Sequence, residues 1–242
     1  MGYRLDEVTY LRVLATIGLV IMHSFTMYAG NWPYPIGISD VKLYYWIQKF
    51  TFSCMLELFV FISGYIFYFQ LSNKKLTFKD IVFKKFKRLL LPSIFFSLLY
   101  CICIDKTIPN SIVDVYHIVI GEGHLWFLPM LFLCFLFGFF IYYLQSIIKI
   151  SSYTILALLA TIALFSSVSL PLRLSSVMYY LFYFYLGGLI FNFRTVLVKT
   201  NRNVLVAIAF LYVIILILGT LLNENIKSLE LDSVLSHILI KF

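Results

Sequence analysis

Residues 10–28, YLRVLATIGLVIMHSFTMY, decide the fold. The run is apolar and of membrane length, yet it holds an arginine and a histidine, Arg12 and His23, eleven positions apart. Eleven steps of about 100° make three helical turns with about 20° left over, so both side chains share one helix face, about 16 Å apart along the axis. An ionisable group that meets lipid costs roughly 2.5–3.5 kcal/mol or more, and such groups usually line a protein interior or a wet cavity. Two on one stripe mark a candidate site. Thr9, Arg12, Thr16, Leu19, His23 and Thr26 fall within about 60° of one line, while Val13, Ile17, Val20 and Ile21 on the other side suit lipid. The expectation is a polar seam that points inward. The plainer alternative is that Arg12 snorkels to the interface and His23 hydrogen-bonds a neighbouring helix.

The rest of the chain has the same character. Of its 242 residues, 62% are hydrophobic and 12% charged, against about 25% charged in a soluble domain. Too few polar side chains exist to cover the surface, so lipid is the outer solvent. The net charge of +8 does not point to nucleic acid, because of where the charges sit. Seven of the nineteen Lys and Arg lie between residues 74 and 88, beside the ends of apolar runs, as on a cytoplasmic membrane face. The N-terminal apolar run is too long for a cleaved signal and reads as the first span. Cys54, Cys101, Cys103 and Cys134 lie within apolar runs and read as small packed hydrophobes. No redox CxxC or zinc spacing is present, so no metal is expected.

Apolar segments near 8–29, 46–71, 89–105, 125–145, 151–169, 174–193 and 203–222 are each long enough, or nearly so, to cross a hydrocarbon core of about 30 Å. An eighth begins near Leu229 and stops at Phe242. Only helices satisfy every backbone group within a spanning segment. The expected fold is therefore all-α, a polytopic transmembrane helical bundle of seven spans plus a partial eighth. It is read as one membrane-embedded domain over residues 1–242, expected to be incomplete at the C-terminus. With the N-terminus cytoplasmic, the inner loops hold eleven Lys and Arg, whereas the outer loops hold Lys42, Lys106, Arg173 and Lys227. That bias sets the expected orientation.

Further candidate residues follow along the chain. Glu57, in the second span, is expected near mid-membrane, between Arg12 and His23 in depth and closer to His23. There it would orient the imidazole or form a structural ion pair with Arg12. In the stretch KKLTFKDIVFKKFKRLLLP, residues 74–92, basic residues alternate with apolar ones. This reads as a basic amphipathic helix that either touches lipid headgroups or offers Lys84, Lys85, Lys87 and Arg88 to phosphates. Pro92 falls in the first turns of the third span. In GEGHLWFLPML, residues 121–131, His124 and Trp126 sit at the mouth of the fourth span. They read as an interfacial belt or as a sugar site. His117 and His237 read as structural, and the aromatic, glycine-paired run at residues 178–191 reads as packing.

Four of these features, in order, resemble a known family. An Arg, ten residues and a His in the first span, then FVFISGY at residues 59–65, KKFKRLLLP at 84–92 and HLWFLPML at 124–131, are similar to integral-membrane acyltransferase family 3. That family includes surface-polysaccharide O-acetylases. The four motifs cover about residues 3–135. Glu57 is not part of the family pattern, and the usual span number of about ten exceeds that found here. The resemblance implies transfer of an acyl group, usually acetyl, from cytosolic acyl-CoA to a hydroxyl of a lipid-linked or cell-surface glycan. It would be a multi-pass enzyme of a bacterial inner membrane. His23 would be general base or acyl carrier, and Arg12 would hold the pantetheine end or a phosphate. Lys84, Lys85, Lys87 and Arg88 would grip CoA phosphates, and His124 and Trp126 would contact the sugar. The rival readings are a transporter of glycans or lipid-linked sugars, and a non-catalytic subunit of polysaccharide synthesis. Transporters often show repeats or broken helices in matching halves, and neither is visible in this sequence.

Overall fold

A computed structural model describes residues 6–29, 41–73, 76–103, 109–121 and 123–194, together with residues 214, 217, 218 and 221. Among the described residues all regular structure is helical. The principal helices are α1 (Asp6–Ser24), α2 (Lys42–Asn73), α3 (Phe78–Lys85), α4 (Leu91–Cys103), α5 (Ile112–Ile120), α6 (Phe127–Ile148), α7 (Ser152–Leu164) and α8 (Leu174–Asn192). Four helical stretches, Lys42–Asn73, Phe78–Cys103, Phe127–Ile148 and Pro171–Asn192, are long and apolar enough to cross a membrane. Val8–Ser24 and Ser152–Ser167 are shorter apolar helices. The spans expected near 203–222 and from Leu229, and His237, fall outside the described residues, apart from four isolated helical positions.

The chain divides into two compact units, one of Met1–Ile62 with Phe193–Phe242, the other Ser63–Asn192. In the first, α1 and the start of α2 are tied by an aromatic trio. Phe25 stacks on Tyr44 at 4.9 Å, and Tyr28 meets the same ring edge-on at 4.9 Å. Further along, Gly18 of α1 lies against the Met55 side chain, where an added Cβ would collide with the sulfur. The two contacts run in opposite directions along the chain, so α1 and α2 pair antiparallel. Without a hydrophobic drive between helices in lipid, small residues that allow close approach choose the contact. Gly18 is such a residue at the α1–α2 contact.

The second unit is built around aromatic rings. Phe67, Phe135 and Phe184 meet pairwise at 5.0–5.6 Å and all three are buried. Gly64 and Gly138 both lie against Phe184, and Gly188 lies against the Tyr68 ring. The run at 178–191 is thus packing, as its pattern implied. α7 packs on α8, α8 on α6, and α3 on α6. At one end Gln145 donates to Ser152 at 2.8 Å and accepts from the Tyr185 hydroxyl at 3.4 Å, joining α6, α7 and α8. The cysteines are free thiols, with Cys134 fully buried beside Met130.

α3 and α4 form one helical stretch through a π-helical turn, Phe86–Leu90. Pro92 explains it. A proline in a helix interior lacks the N–H that would bond the carbonyl four residues back, here Arg88, and its ring crowds that carbonyl. Widening the preceding turn relieves both problems, and the Leu91 N–H donates to Phe86 O, five residues back. Pro92 therefore sits within a continuing helix and not at its start.

Candidate functional site

In α1 the packed stripe is Val8, Ala15, Gly18 and Met22, continued by Thr26 in the following 3-10 turn. Arg12 and His23 are both exposed. On a helical wheel they lie about 70° and 90° from the centre of that stripe and about 120–140° from Gly18. They therefore run together along the flank of the packed face that is remote from α2. Of the expected inward seam, Thr26 is buried and Leu19 half-buried, whereas Thr9 and Thr16 are exposed. The Thr16 hydroxyl donates to Arg12 O at 2.8 Å, which satisfies it locally. Val13, Ile17, Val20 and Ile21 form the open apolar side.

Glu57 is buried. The Gly18–Met55 contact puts it about 3 Å further along α2, so in depth it falls between Arg12 and His23 and nearer Arg12. It also lies about 200° around α2 from Met55. On the wheel its position is thus turned away from the Gly18 contact. The face that α2 offers to α1 is instead marked by Met55 and by Gln48, a 2% exposed amide, about 20° from Met55 on the wheel.

The basic segment divides by partner. Lys85 places its ammonium 3.6 Å from the centre of the Phe135 ring, so it is spent on holding α3 to α6. Lys87 lies over Phe83 at 4.6 Å. Lys84 and Arg88 are exposed. The α3 start is fixed by a capping box in which Thr77 and Asp80 bond each other's backbone and side chain.

At the other motif, the turn Gly123–Trp126 leads into α6. Trp126 is half-buried with its ring 6.0 Å from Tyr180. The backbone of His124 belongs to that turn, and its side chain lies outside the described residues. Buried Ser93 of α4 donates to Leu125 O at 3.5 Å. His117 lies on α5 and is exposed, with Tyr116 5.9 Å away.

Two features here were not read from the sequence. The first is α5 itself, nine residues too short to span, begun by a capping box of Ser111 and Asp114. Hydrogen bonds from the Ser111 side chain and from the backbone N–H groups of Asn110 and Ser111 hold the Asp114 carboxyl below its ordinary 3.8. The residues Ser111-x-x-Asp114 carried that signal. The second is a clasp. Arg173 donates to Ile120 O at 3.5 Å and to Gly121 O at 3.2 Å, capping the carbonyl end of α5. The Leu172 N–H donates to the Tyr116 hydroxyl at 2.9 Å. Leu172 and Arg173 both take positive φ, 55° and 60°, a conformation costly for side-chain-bearing residues. The clasp ties the start of α8 to Gly121, whose φ of 85° opens the Trp126 turn. No sequence pattern announces it.

A family model described as an acyltransferase domain, that of acyltransferase family 3, matches residues 5–236. No curated protein and no solved structure matches.

Proposed function

The chain belongs to acyltransferase family 3, and from that premise we propose that it moves an acyl group, acetyl in the first instance, from cytosolic acyl-CoA to a hydroxyl of a cell-surface or lipid-linked glycan. The observation that carries the proposal is the pairing of Arg12 and His23 on one flank of a helix whose other side is apolar. Neither group is matched to lipid, and on a helical wheel both lie about 120–140° from Gly18, the residue that meets Met55.

In this mechanism His23 acts as general base. Its imidazole takes the proton of the acceptor hydroxyl as that oxygen attacks the thioester carbonyl carbon. The tetrahedral adduct collapses, the C–S bond breaks, and the leaving thiolate recovers a proton from the imidazolium. Such base work is typically worth about 10²–10⁴-fold in rate. Arg12 holds the pantetheine end or a phosphate of the donor. Lys84 and Arg88, both exposed on the α3 segment, are assigned to CoA phosphates, whereas Lys87 lies over Phe83 and is left out of that rim. Lys85, engaged by Phe135, serves that rim by fixing α3. Trp126, with His124, is assigned to the acceptor sugar, whose C–H groups suit an aromatic face. The setting is the bacterial inner membrane with the N-terminus cytoplasmic, which the bias of basic residues favours. Glu57 is assigned a structural part, because it faces away from the Gly18 contact.

The deciding experiment follows radiolabel from [acetyl-¹⁴C]acetyl-CoA into glycan, using membranes that carry the chain. Covalently labelled glycan supports the reading. Movement of a prelabelled glycan across the membrane without covalent change would replace it with transport.

A further inference from the structure

α3 presents three faces. One is held on α6: Ile81 is buried, the Phe78 ring meets Phe139 at 5.6 Å, and Lys85 caps Phe135. A second carries Asp80 and Lys84. Between them runs a groove of about 360 Å³ lined by Phe78, Lys79, Val82, Phe83 and Phe86. Its rings are open, with Phe78 50%, Phe83 62% and Phe86 41% exposed. The acyl-transfer reading makes no use of this groove.

The surroundings say what fills it. The same helical stretch continues into α4, where Leu91, Phe95, Phe96 and Leu99 are exposed along the helix. The groove therefore opens where a lipid-facing helix begins. Lys79 lines it, and Lys87 stands over Phe83 at its edge. Residues 74–88 hold seven basic side chains against one acid, Asp80, a net of six positive charges. A soluble anion would satisfy the lysines and leave the aromatic floor open. A zwitterionic lipid would cover the floor and leave the charge unbalanced. We infer that the groove binds one anionic phospholipid, with an acyl chain along Phe78, Val82, Phe83 and Phe86 and the headgroup phosphate between Lys79 and Lys87. This does not rest on the acyl-transfer reading. The juxtaposition is the one used by interfacial helices in general, apolar area and cationic rim together.

The test uses the full chain purified in detergent with equal dioleoyl-phosphatidylglycerol and dioleoyl-phosphatidylcholine, the retained lipid being counted by native mass spectrometry. The expected result is preferential retention of one phosphatidylglycerol. A lysine near an anionic lipid surface contributes enough that Lys79→Gln should lower that retention about fivefold. Val82→Trp, which fills the groove and keeps every charge, should abolish it. Phe83→Ser, at an exposed position, makes the same test if Val82→Trp does not fold. Equal retention of the two lipids overturns the inference. So does loss on Lys79→Gln with full retention in the groove variants, which would mark a site for anions alone.

Discussion

α1 and α8 are the same length, nineteen residues, and both are apolar, yet the protein uses them differently. α8 is packed on most of its surface: Val177, Tyr180, Leu181, Phe184, Tyr185, Leu189, Phe191 and the glycines 187 and 188 are buried. α1 buries a narrow stripe of small residues and methionine and leaves both an apolar side and a polar flank open. A helix enclosed by its neighbours has no face left for chemistry. A helix packed along one stripe can present ionisable groups beside it. The two should therefore fail differently when altered.

The largest expected effect is on α1. His23→Ala should lower acyl transfer by about 10²–10⁴-fold, the typical worth of a general base, and leave membrane insertion intact. Acetylated glycan at the normal level would remove His23 from the chemistry. The counterpart on α8 is Phe184→Ala. Removing a fully buried ring that meets Phe67 and Phe135 should cost about 3–5 kcal/mol, read as a lowered denaturation midpoint. Activity per folded molecule should hold. If Phe184→Ala instead left stability intact, the contrast between the two helices would collapse.

How much of this was legible depends on what a single helix can encode. Each described helix longer than nine residues lies within an apolar segment visible in the sequence or adjoins one, because spacing and hydropathy belong to the segment itself. The shared side of Arg12 and His23 was legible for the same reason. Which side of α1 packs was not. In a bilayer, lipid is as apolar as leucine, so hydrophobicity does not select which apolar residues of a helix pack against its neighbours. The close approach permitted by Gly18 decides instead. Glu57 shows the same limit. Its distance from Arg12 and His23 depends on which face α2 turns to α1, and Met55 sets that face. Pro92 reads from the sequence as part of the first turns of a span, and the π turn instead carries the helix from Phe78 through it. The Arg173 clasp joins residues more than fifty positions apart through two left-handed backbone conformations, and neither leaves a mark in composition.

Smaller effects sharpen the comparison within the second unit. If the exposed cations of the α3 segment serve the donor, Lys84→Gln with Arg88→Gln should raise KM for acetyl-CoA several-fold with little change in kcat. Topology should be checked in parallel, since lost positive charge can reorient a span. Lys85→Gln should behave differently. Its ammonium sits on Phe135, so the variant should lose about 0.5–2 kcal/mol of stability and leave KM near normal. Equal rises in KM from both changes would return Lys85 to the donor rim.

The smallest expected effect is at the capping box of α5. Hydrogen bonds from Ser111 and from the Asn110 and Ser111 N–H groups hold the Asp114 carboxyl below 3.8. A carboxyl whose folded pKa is depressed stabilises the fold above its unfolded pKa and loses that contribution as pH falls through the folded value. The cap should thus be intact at neutral pH and weaken only below about pH 4. Amide exchange at the first turn of α5 should accelerate there, once corrected for intrinsic rates. Asp114→Asn should show faster exchange already at neutral pH and little further change on acidification. α7 is capped by the Ser151 hydroxyl and carries no acidic residue in its first turn. Its first turn should therefore show no matching acid transition, and an identical transition in both helices would mean that acid acts on the bundle as a whole and not on this cap.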